Sequence, residues 1–210
     1  DIGKLLQVEC GEAKVLSMLE QKGFEVIGID TDEDIIQENK GSINNIFCDN
    51  FLNFFHYKGE FDGVILFNSL KYSSEPEAEL VKATEFVNDD GYLFLEDNLY
   101  GTIAEKMFKS NYHNFNLPKD TYYFNLKSIN RILKNLGFRK AYKKTTYKVF
   151  TKNFIRSFSL YLENKFGIKF SILKIPFLIP ALLLSPFFEL LFSLSNYFRY
   201  KIFGQSYLVA

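Results

Sequence analysis

Polar residues stand where three apolar runs of the chain end. Asp30 closes one run, Asp49 and Asn50 follow the next, and Asn68 follows Phe67 at the end of a third. In an open parallel sheet, the carboxyl ends of the strands meet at one edge, and ligands bind there. An acid at the end of the second strand of a βαβ unit is placed to accept hydrogen bonds from ribose hydroxyls. This pattern indicates a nucleoside ligand, with Asp30 as its first candidate contact.

A short turn lies between the first apolar run and the first amphipathic segment. It contains Gly11, and glycine at this position permits close approach of a ligand to the backbone. Simpler interpretations stay open for each residue. Gly11 also suits a plain tight turn, Asp30 also suits a helix cap before Thr31, and Asp49 also suits a solvated loop.

Apolar runs alternate with segments of helical periodicity over the first 150 residues. Strands are predicted at 5–8, 25–29, 45–48, 61–67, 92–96 and 143–150, and helices at 13–22, 32–40, 76–87 and 126–136. A turn is predicted at 88–91, and a last strand at 207–210. Alternation of this kind predicts an α/β fold with a doubly wound, mostly parallel sheet of seven strands.

The charge is distributed unevenly along the chain. Residues 1–110 carry 22 acids and 9 bases, whereas residues 111–210 carry 3 acids and 16 bases, although the net charge is zero. A basic half predicts an acidic partner, which could be the acidic half of the chain, a membrane surface or an anionic substrate. The two cysteines have no metal-ligand spacing and are interpreted as reduced thiols of a cytosolic protein, so no metal site is predicted.

Residues 151–200 differ in character from the first 150. They are basic and aromatic at first and then run uncharged from 175 to 188, with prolines at 176, 180 and 186. That run is shorter than the roughly 20 residues that cross a bilayer. Three interpretations stay open: core helices packed on the sheet, a lid over an apolar substrate, or an interfacial membrane anchor. The predicted organisation is a core at 1–150, a helical insertion at 151–200 and a last strand within 201–210. The abrupt opening of the chain predicts an incomplete amino terminus.

With these elements in order, the chain resembles the class I S-adenosylmethionine-dependent methyltransferases, in particular the small-molecule and lipid methyltransferases. The family's glycine turn corresponds to residues 6–13, its ribose acid to Asp30 and its adenine-reading acid to Asp49. The fourth-strand motif corresponds to 61–70 and continues to Pro76. An aromatic-then-helix signature corresponds to 122–124 and 133–138.

The resemblance implies S-adenosylmethionine as the cofactor. The cofactor-binding residues that it implies are Gln7, Glu9, Gly11, Asp30, Thr31, Asp49, Asn50, Phe67 and Asn68. The turn departs from the family pattern at Gln7, Glu9 and Ala13, where the family has an acid and two glycines. Ala13 is a mild change if its φ is negative, whereas Glu9 adds a side chain near the place of the cofactor's own carboxylate.

The function implied by the resemblance is methyl transfer to a small apolar or lipid-like acceptor, which enters under residues 151–200. A catalytic base is required only for an un-ionised acceptor, and its candidates by placement are Tyr72, Asp120, Tyr123 and His113. The predicted location is cytoplasmic, with peripheral membrane contact through 151–200 and no nucleic-acid partner. Two alternatives stay open: an inactive methyltransferase-like binding or membrane-associated module, and a nucleotide-dependent dehydrogenase, which Asp30 fits equally well.

Overall fold

The computed structural model describes residues 2–39, 43, 45–98, 100–101, 103–113, 115–116, 118–145, 150–167 and 197–203. The chain divides into two compact units. The first comprises Asp1–Asp97, Lys127–Lys143 and Arg199–Ala210, and the second comprises Asn98–Leu126 and Lys144–Phe198. All the predicted cofactor residues belong to the first unit.

Five parallel strands form the centre of the first unit. They are β1 (Lys4–Val8), β2 (Glu25–Asp30), β3 (Ile46–Cys48), β4 (Phe61–Phe67) and β5 (Val87–Asn98), arranged in the order β3-β2-β1-β4-β5. All but β3 are rich in buried aliphatic residues, as strands covered on both faces must be. In β4, for example, Val64 and Leu66 have no exposed surface. These strands confirm the predicted α/β fold with a parallel sheet.

Helices connect these strands. In the first unit they are α1 (Lys14–Glu20), α2 (Glu33–Asn39), α3 (Pro76–Phe86) and α5 (Leu126–Asn135). Mid-strand Gly28 allows α1 to pack closely, because a Cβ there would lie 2.7 Å from a Leu16 methyl carbon. The second unit contains α4 (Ile103–Phe108) and α6 (Phe150–Phe166). Two further strands are β6 (Arg139–Thr145) and β7 (Tyr197–Phe203).

Several predicted boundaries are wrong. Residues 88–91 form no separate turn: β5 begins at Val87, and the extra residues are taken up in a register shift opposite 61–63 of β4. The sixth strand ends at Thr145 rather than 150, because Phe150 already begins α6. The residues 207–210 and most of the predicted insertion, 168–196, lie outside the described residues. The count of seven strands and the helical insertion therefore stay predictions.

The described part of α6 packs within its own unit. Phe158 and Tyr161 of α6 lie against the buried side chains of Phe108 and Tyr112. The Ser157 hydroxyl, which is fully buried, accepts a hydrogen bond from the His113 amide at 2.9 Å. This part of 151–200 thus provides core packing for the second unit. Among the helices that the structure describes, none is both long enough and apolar enough to cross a membrane.

Candidate functional site

The strand order of the sheet reverses between β1 and β4. From β1 the chain proceeds to β2 and β3 on one side, and from β4 it proceeds to β5 on the other. Val8, the last residue of β1, pairs with Leu66, the penultimate residue of β4. In open α/β sheets, ligands bind in the crevice outside the carboxyl ends of the strands at such a switch point. The turn after β1 and the turn after β4 therefore border the candidate site.

The turn after β1 adopts the left-handed conformation three times. The φ angles are 52° at Glu9, 54° at Gly11 and 50° at Ala13. Only glycine adopts this region without a steric penalty, which for other residues is about 1–2 kcal/mol. The turn thus has the backbone shape of a glycine-rich loop although two of the three positions are not glycine. The condition for a mild change at Ala13, a negative φ, is not met.

The buried residues of this turn explain how the shape is held. Cys10 and Ala13 pack with Leu16 and Val26 in one apolar cluster. The Cys10 amide donates to the Ile29 carbonyl at 3.1 Å, which ties the turn to β2. The Asn39 amide group donates to the Gly11 carbonyl at 3.2 Å. Packing and hydrogen bonds on both sides of Gly11 therefore offset the unfavourable φ angles.

Asp30 lies at the end of β2 and is only 4% exposed. Its Oδ2 accepts the Gly11 amide at 2.8 Å, and its Oδ1 accepts the Asp32 amide at 3.0 Å. The carboxylate therefore joins the turn after β1 to the loop before α2, but it does not cap α2, because Asp32 has that role. An ionised carboxylate offers about four acceptor positions, so each oxygen retains capacity for another donor. Its role at a ribose stays a prediction.

The loops that follow β2 and β3 adjoin each other. The Asp49 amide donates to the Asp30 carbonyl at 3.0 Å. Asp49 Oδ1 accepts the Asn50 amide at 2.7 Å, and the Asn50 side chain accepts the Leu52 amide at 2.8 Å, capping a 3₁₀ turn. Thr31 is exposed, and the cap of α2 is Asp32, whose Oδ1 accepts the Asp34 amide at 3.0 Å.

Lys82 of α3 supports the loop after β3. This residue is 7% exposed, and its ammonium donates to the Leu52 carbonyl. The ammonium also lies 4.4 Å from the centroid of the Phe55 ring and 5.9 Å from that of Phe51. Burial lowers the Lys82 pKa. Lys82 thus holds the 3₁₀ turn that directly follows Asp49 and Asn50.

The turn after β4 supplies the opposite side of the crevice. Asn68 has a φ of 57°, a conformation that asparagine tolerates better than most residues. Its amide donates to the Glu96 carbonyl at 2.7 Å, and both Asn68 and Phe67 are half-buried. Ser69 is 2% exposed, and its hydroxyl has no hydrogen-bond partner within the part of the chain that the structure describes.

The electrostatic environment of the turn is acidic. Glu9 is exposed as a residue, yet burial of its carboxyl is the largest cause that raises its pKa to about 7, followed by the charges of Asp30 and Glu79. Burial also raises the pKa of Glu79, and it raises that of the Cys10 thiol to about 12. Glu79 lies on α3, 70 residues after Glu9, so its effect on the Glu9 carboxyl is not visible in the sequence.

The residues present fit a polar ligand at the switch point. Gln7 is 4% exposed, and neither its Oε1 nor the Ser69 hydroxyl has a hydrogen-bond partner among the described residues. Buried polar atoms are nearly always hydrogen-bonded, so these two indicate a missing partner. A Cβ placed on Gly11 would meet nothing within 4 Å, so space is open at the turn. Among the described residues, no group of three His, Cys, Asp or Glu could hold a metal ion.

The candidate catalytic residues lie in different parts of the chain. Tyr72 follows the β4 turn and is 50% exposed, with the Lys71 ammonium 4.8 Å from its ring centroid. Asp120 and Tyr123 belong to the second unit. Asp120 is 2% exposed, and the Tyr123 hydroxyl accepts the Asn116 amide at 3.2 Å. His113 Nε2 lies 3.0 Å from a guanidinium nitrogen of Arg156, which makes this ring nitrogen an acceptor.

Comparisons with solved structures agree with this architecture. An Archaeoglobus fulgidus S-adenosylmethionine-dependent methyltransferase has a TM-score of 0.65 and 15% identity, covering 96% of this chain and 86% of that one. A Methanosarcina mazei S-adenosylmethionine-dependent methyltransferase gives 0.60 and 16%, covering 96% and 92%. A Thermotoga maritima protein, described as a possible histamine N-methyltransferase, gives 0.58 and 16%, covering 70% of each chain. At these identities the likeness shows the fold.

A comparison with protein families shows more than the fold. No curated protein sequence matches the chain. The profile of the family described as "Methyltransferase domain" matches residues 2–142, well over half of the chain. The match includes the turn after β1, Asp30, Asp49 and the turn after β4. The predicted resemblance to class I S-adenosylmethionine-dependent methyltransferases is therefore confirmed, and the chain belongs to the methyltransferase-domain family.

Proposed function

We propose that the protein is an S-adenosylmethionine-dependent methyltransferase acting on a small apolar or lipid-like acceptor. The observation that carries the proposal is the turn after β1, which keeps three left-handed residues at the switch point of the sheet. Left-handed φ angles at Glu9 and Ala13 are costly. Strain of this kind persists where the surrounding structure enforces it, and it is concentrated at ligand sites.

The proposed cofactor contacts follow the carboxyl edge of the sheet. Gln7, Glu9 and Gly11 border the space next to β1. Asp30 and Thr31 contact the ribose, and Asp49 and Asn50 contact the adenine. Phe67 and Asn68 border the cofactor on the side of β4. The chemistry supplied by this cofactor is an electrophilic methyl group for in-line displacement. Alignment of such a group with a nucleophile supplies much of the rate.

Two matched glycine substitutions test the proposed cofactor site. Gly11 and Gly59 both have positive φ angles, 54° and 71°, and a Cβ at either position would meet nothing within 4 Å. Gly11→Ala and Gly59→Ala therefore carry a similar conformational cost of about 1 kcal/mol. We expect Gly11→Ala to weaken binding of S-adenosylhomocysteine at least tenfold and Gly59→Ala to leave it unchanged. Equal effects of the two variants would refute a ligand site at Gly11.

The acceptor class rests on the character of the second half of the chain. Its bases outnumber its acids by 16 to 3, and bases near anionic lipid contribute about 1 kcal/mol each. On α6, Arg156 and Lys165 are exposed, as are the apolar residues Leu160 and Phe166. We expect the full chain to float with anionic vesicles, and Arg156→Gln with Lys165→Gln to reduce the floating fraction. Lys71→Gln is the control in the acidic half, and flotation that is equal for neutral vesicles would contradict the lipid interpretation.

A catalytic base is not assigned to one residue. Tyr72 is solvent-exposed, and the Tyr123 hydroxyl already accepts a backbone amide. The pH profile of methyl transfer distinguishes the three candidates when it is measured in Tyr72→Phe, Asp120→Asn and Tyr123→Phe. Only an un-ionised hydroxyl or amine acceptor requires a base at all.

The second candidate function is a methyltransferase-like binding module that no longer holds the cofactor. The side chain of Glu9, standing where the family has glycine, favours it. If this alternative is right, the natural chain does not bind S-adenosylhomocysteine, and the double variant Glu9→Gly, Ala13→Gly gains binding. Binding by the natural chain excludes it.

A further inference from the structure

Both polar groups of the Leu52 backbone are held by side chains. The Leu52 amide donates to the Asn50 side chain at 2.8 Å, and the Leu52 carbonyl accepts a hydrogen bond from the Lys82 ammonium. Leu52 is the middle residue of the 3₁₀ turn at Phe51–Asn53, which directly follows Asp49 and Asn50. Through the Lys82 side chain, helix α3 therefore holds the loop that the proposed function places against the adenine.

The Lys82 ammonium lies in an apolar environment. The residue is 7% exposed, and its ammonium lies 4.4 Å from the centroid of the Phe55 ring and 5.9 Å from those of Phe51 and Phe86. None of the ion pairs among the described residues includes it. Removing a charge from water is costly, and an apolar side chain of the same length would fill this space without that cost. Packing alone therefore does not account for a lysine at this position.

The turn that Lys82 holds is joined to the candidate site on its other side. The Asp49 amide donates to the Asp30 carbonyl at 3.0 Å, and Asp49 Oδ1 accepts the Asn50 amide at 2.7 Å. A continuous set of hydrogen bonds thus connects α3, through Leu52 and Asn50, with Asp49 and the end of β2. The direction of the Asp49 carboxylate therefore depends on a turn that is fixed at both ends.

We infer that Lys82 is a positioning residue for recognition of the adenine amino group, because it fixes the turn that orients Asp49 and Asn50. The inference rests on the proposed function and deepens it. A carboxylate accepts a hydrogen bond from an amino group, whereas it opposes the oxygen of a 6-oxo purine, because both oxygens are acceptors. Such discrimination requires that the carboxylate be held close to its productive direction. Lys82 acts through the backbone of Leu52 and does not itself touch the ligand.

Calorimetric titration with S-adenosylhomocysteine and with its 6-oxo analogue, S-inosylhomocysteine, tests the inference. The natural chain should bind the amino form at least about tenfold more tightly, since a hydrogen bond to a charged group is among the stronger ones. Lys82→Met keeps the length of the side chain but cannot donate to the Leu52 carbonyl. We expect this variant to reduce the preference for the amino form at least about threefold, the usual order of effect for one hydrogen bond.

The ratio of the two Kd values separates positioning from stability. Both ligands meet the same folded fraction of the protein, so partial unfolding weakens both affinities by the same factor and leaves the ratio unchanged. Lys58→Met is the matched control. The Lys58 ammonium also lies near the Phe55 ring, 5.9 Å from its centroid, but it donates to Glu85 rather than to Leu52. This variant should keep the natural ratio.

Three results would overturn the inference while the proposed function stands. They are an unchanged ratio in Lys82→Met, an equal change in Lys58→Met, and a natural chain that binds both ligands equally well. Lys82→Leu replaces Lys82→Met should the latter not fold. A natural chain that binds neither ligand overturns the inference and the proposed function together.

Discussion

The Gly11 amide donates a 2.8 Å hydrogen bond to the carboxylate of Asp30, which joins the turn after β1 to the end of β2. The same carboxylate accepts the Asp32 amide at 3.0 Å. One buried acid thus fixes the two loops that a nucleoside ligand would touch. The structural role of Asp30 and its role in ligand binding can therefore be measured separately in variants of this residue.

Replacement of Asp30 should affect stability and binding to different extents. Asp30→Ala leaves two part-buried amides without an acceptor, so we expect a loss of about 1–3 kcal/mol of unfolding free energy in urea. Asp30→Asn keeps one acceptor oxygen and should lose less. Both variants should weaken binding of S-adenosylhomocysteine if the acid also serves the ribose. An Asp30→Asn protein with unchanged affinity would leave Asp30 only its structural role in joining the two loops, and Asp34→Ala provides the exposed control.

Glycine substitutions in the turn should differ in their effect on stability. Glu9→Gly removes left-handed strain from an exposed residue, so we expect a gain of about 1 kcal/mol in unfolding free energy. Ala13→Gly removes the same strain but also a methyl group from the core, where Ala13 is 1% exposed. A buried methylene is worth about 0.8 kcal/mol, so the net change should be near zero. A loss of stability in Glu9→Gly would show that the strain is not present.

The pH dependence of stability should carry a contribution from Glu9. Its pKa rises from 4.5 to about 7 on folding, so between these values the folded protein binds more protons than the unfolded chain. This contribution to stability is complete below pH 4.5 and is lost as the pH rises through 7. Urea midpoints at pH 5 and 8 should therefore differ less in Glu9→Gln than in the natural chain. Glu12→Gln should retain the full difference, and an identical slope in all three would contradict the shift.

Lys82 should matter more for stability than its neighbour Lys58. Lys82→Ala removes the bond to the Leu52 carbonyl and the contacts with three phenylalanine rings, for an expected loss of about 1–3 kcal/mol. Lys58 forms a 2.6 Å ion pair with Glu85, but both side chains are nearly half exposed. Exposed pairs contribute about 0–1 kcal/mol, so Lys58→Ala should change little. Equal losses in thermal or urea unfolding would contradict the supporting role of Lys82.

The fold was largely predictable because buried parallel strands leave a strong pattern. The run from Phe61 to Phe67 is continuous and apolar, and its strand is found where predicted. The boundary at Val87 was missed because residues 88–91 have turn-like composition, whereas pairing with β4 draws them into the strand. The helix that begins at Phe150 was missed because the residues before it alternate between polar and apolar types, as in an edge strand. Only the tertiary context shows where that strand ends.

The site was predictable only in part. The residues that follow strands, such as Asp30 and Asn68, could be found because parallel topology brings strand ends together. Glu79 and Lys82 could not, since their contacts join helix α3 to loops that are distant in sequence. The positive φ of Ala13 could not be predicted either, because alanine gives no signal for that conformation.

The central claim is that the crevice between β1 and β4 still binds the methyltransferase cofactor despite Glu9 and Ala13. Calorimetric titration of the natural chain with S-adenosylhomocysteine tests it most directly. The proposed function predicts saturable binding with one ligand per chain, weakened in Asp30→Ala. No detectable heat of binding at millimolar ligand, with the protein folded, would contradict it.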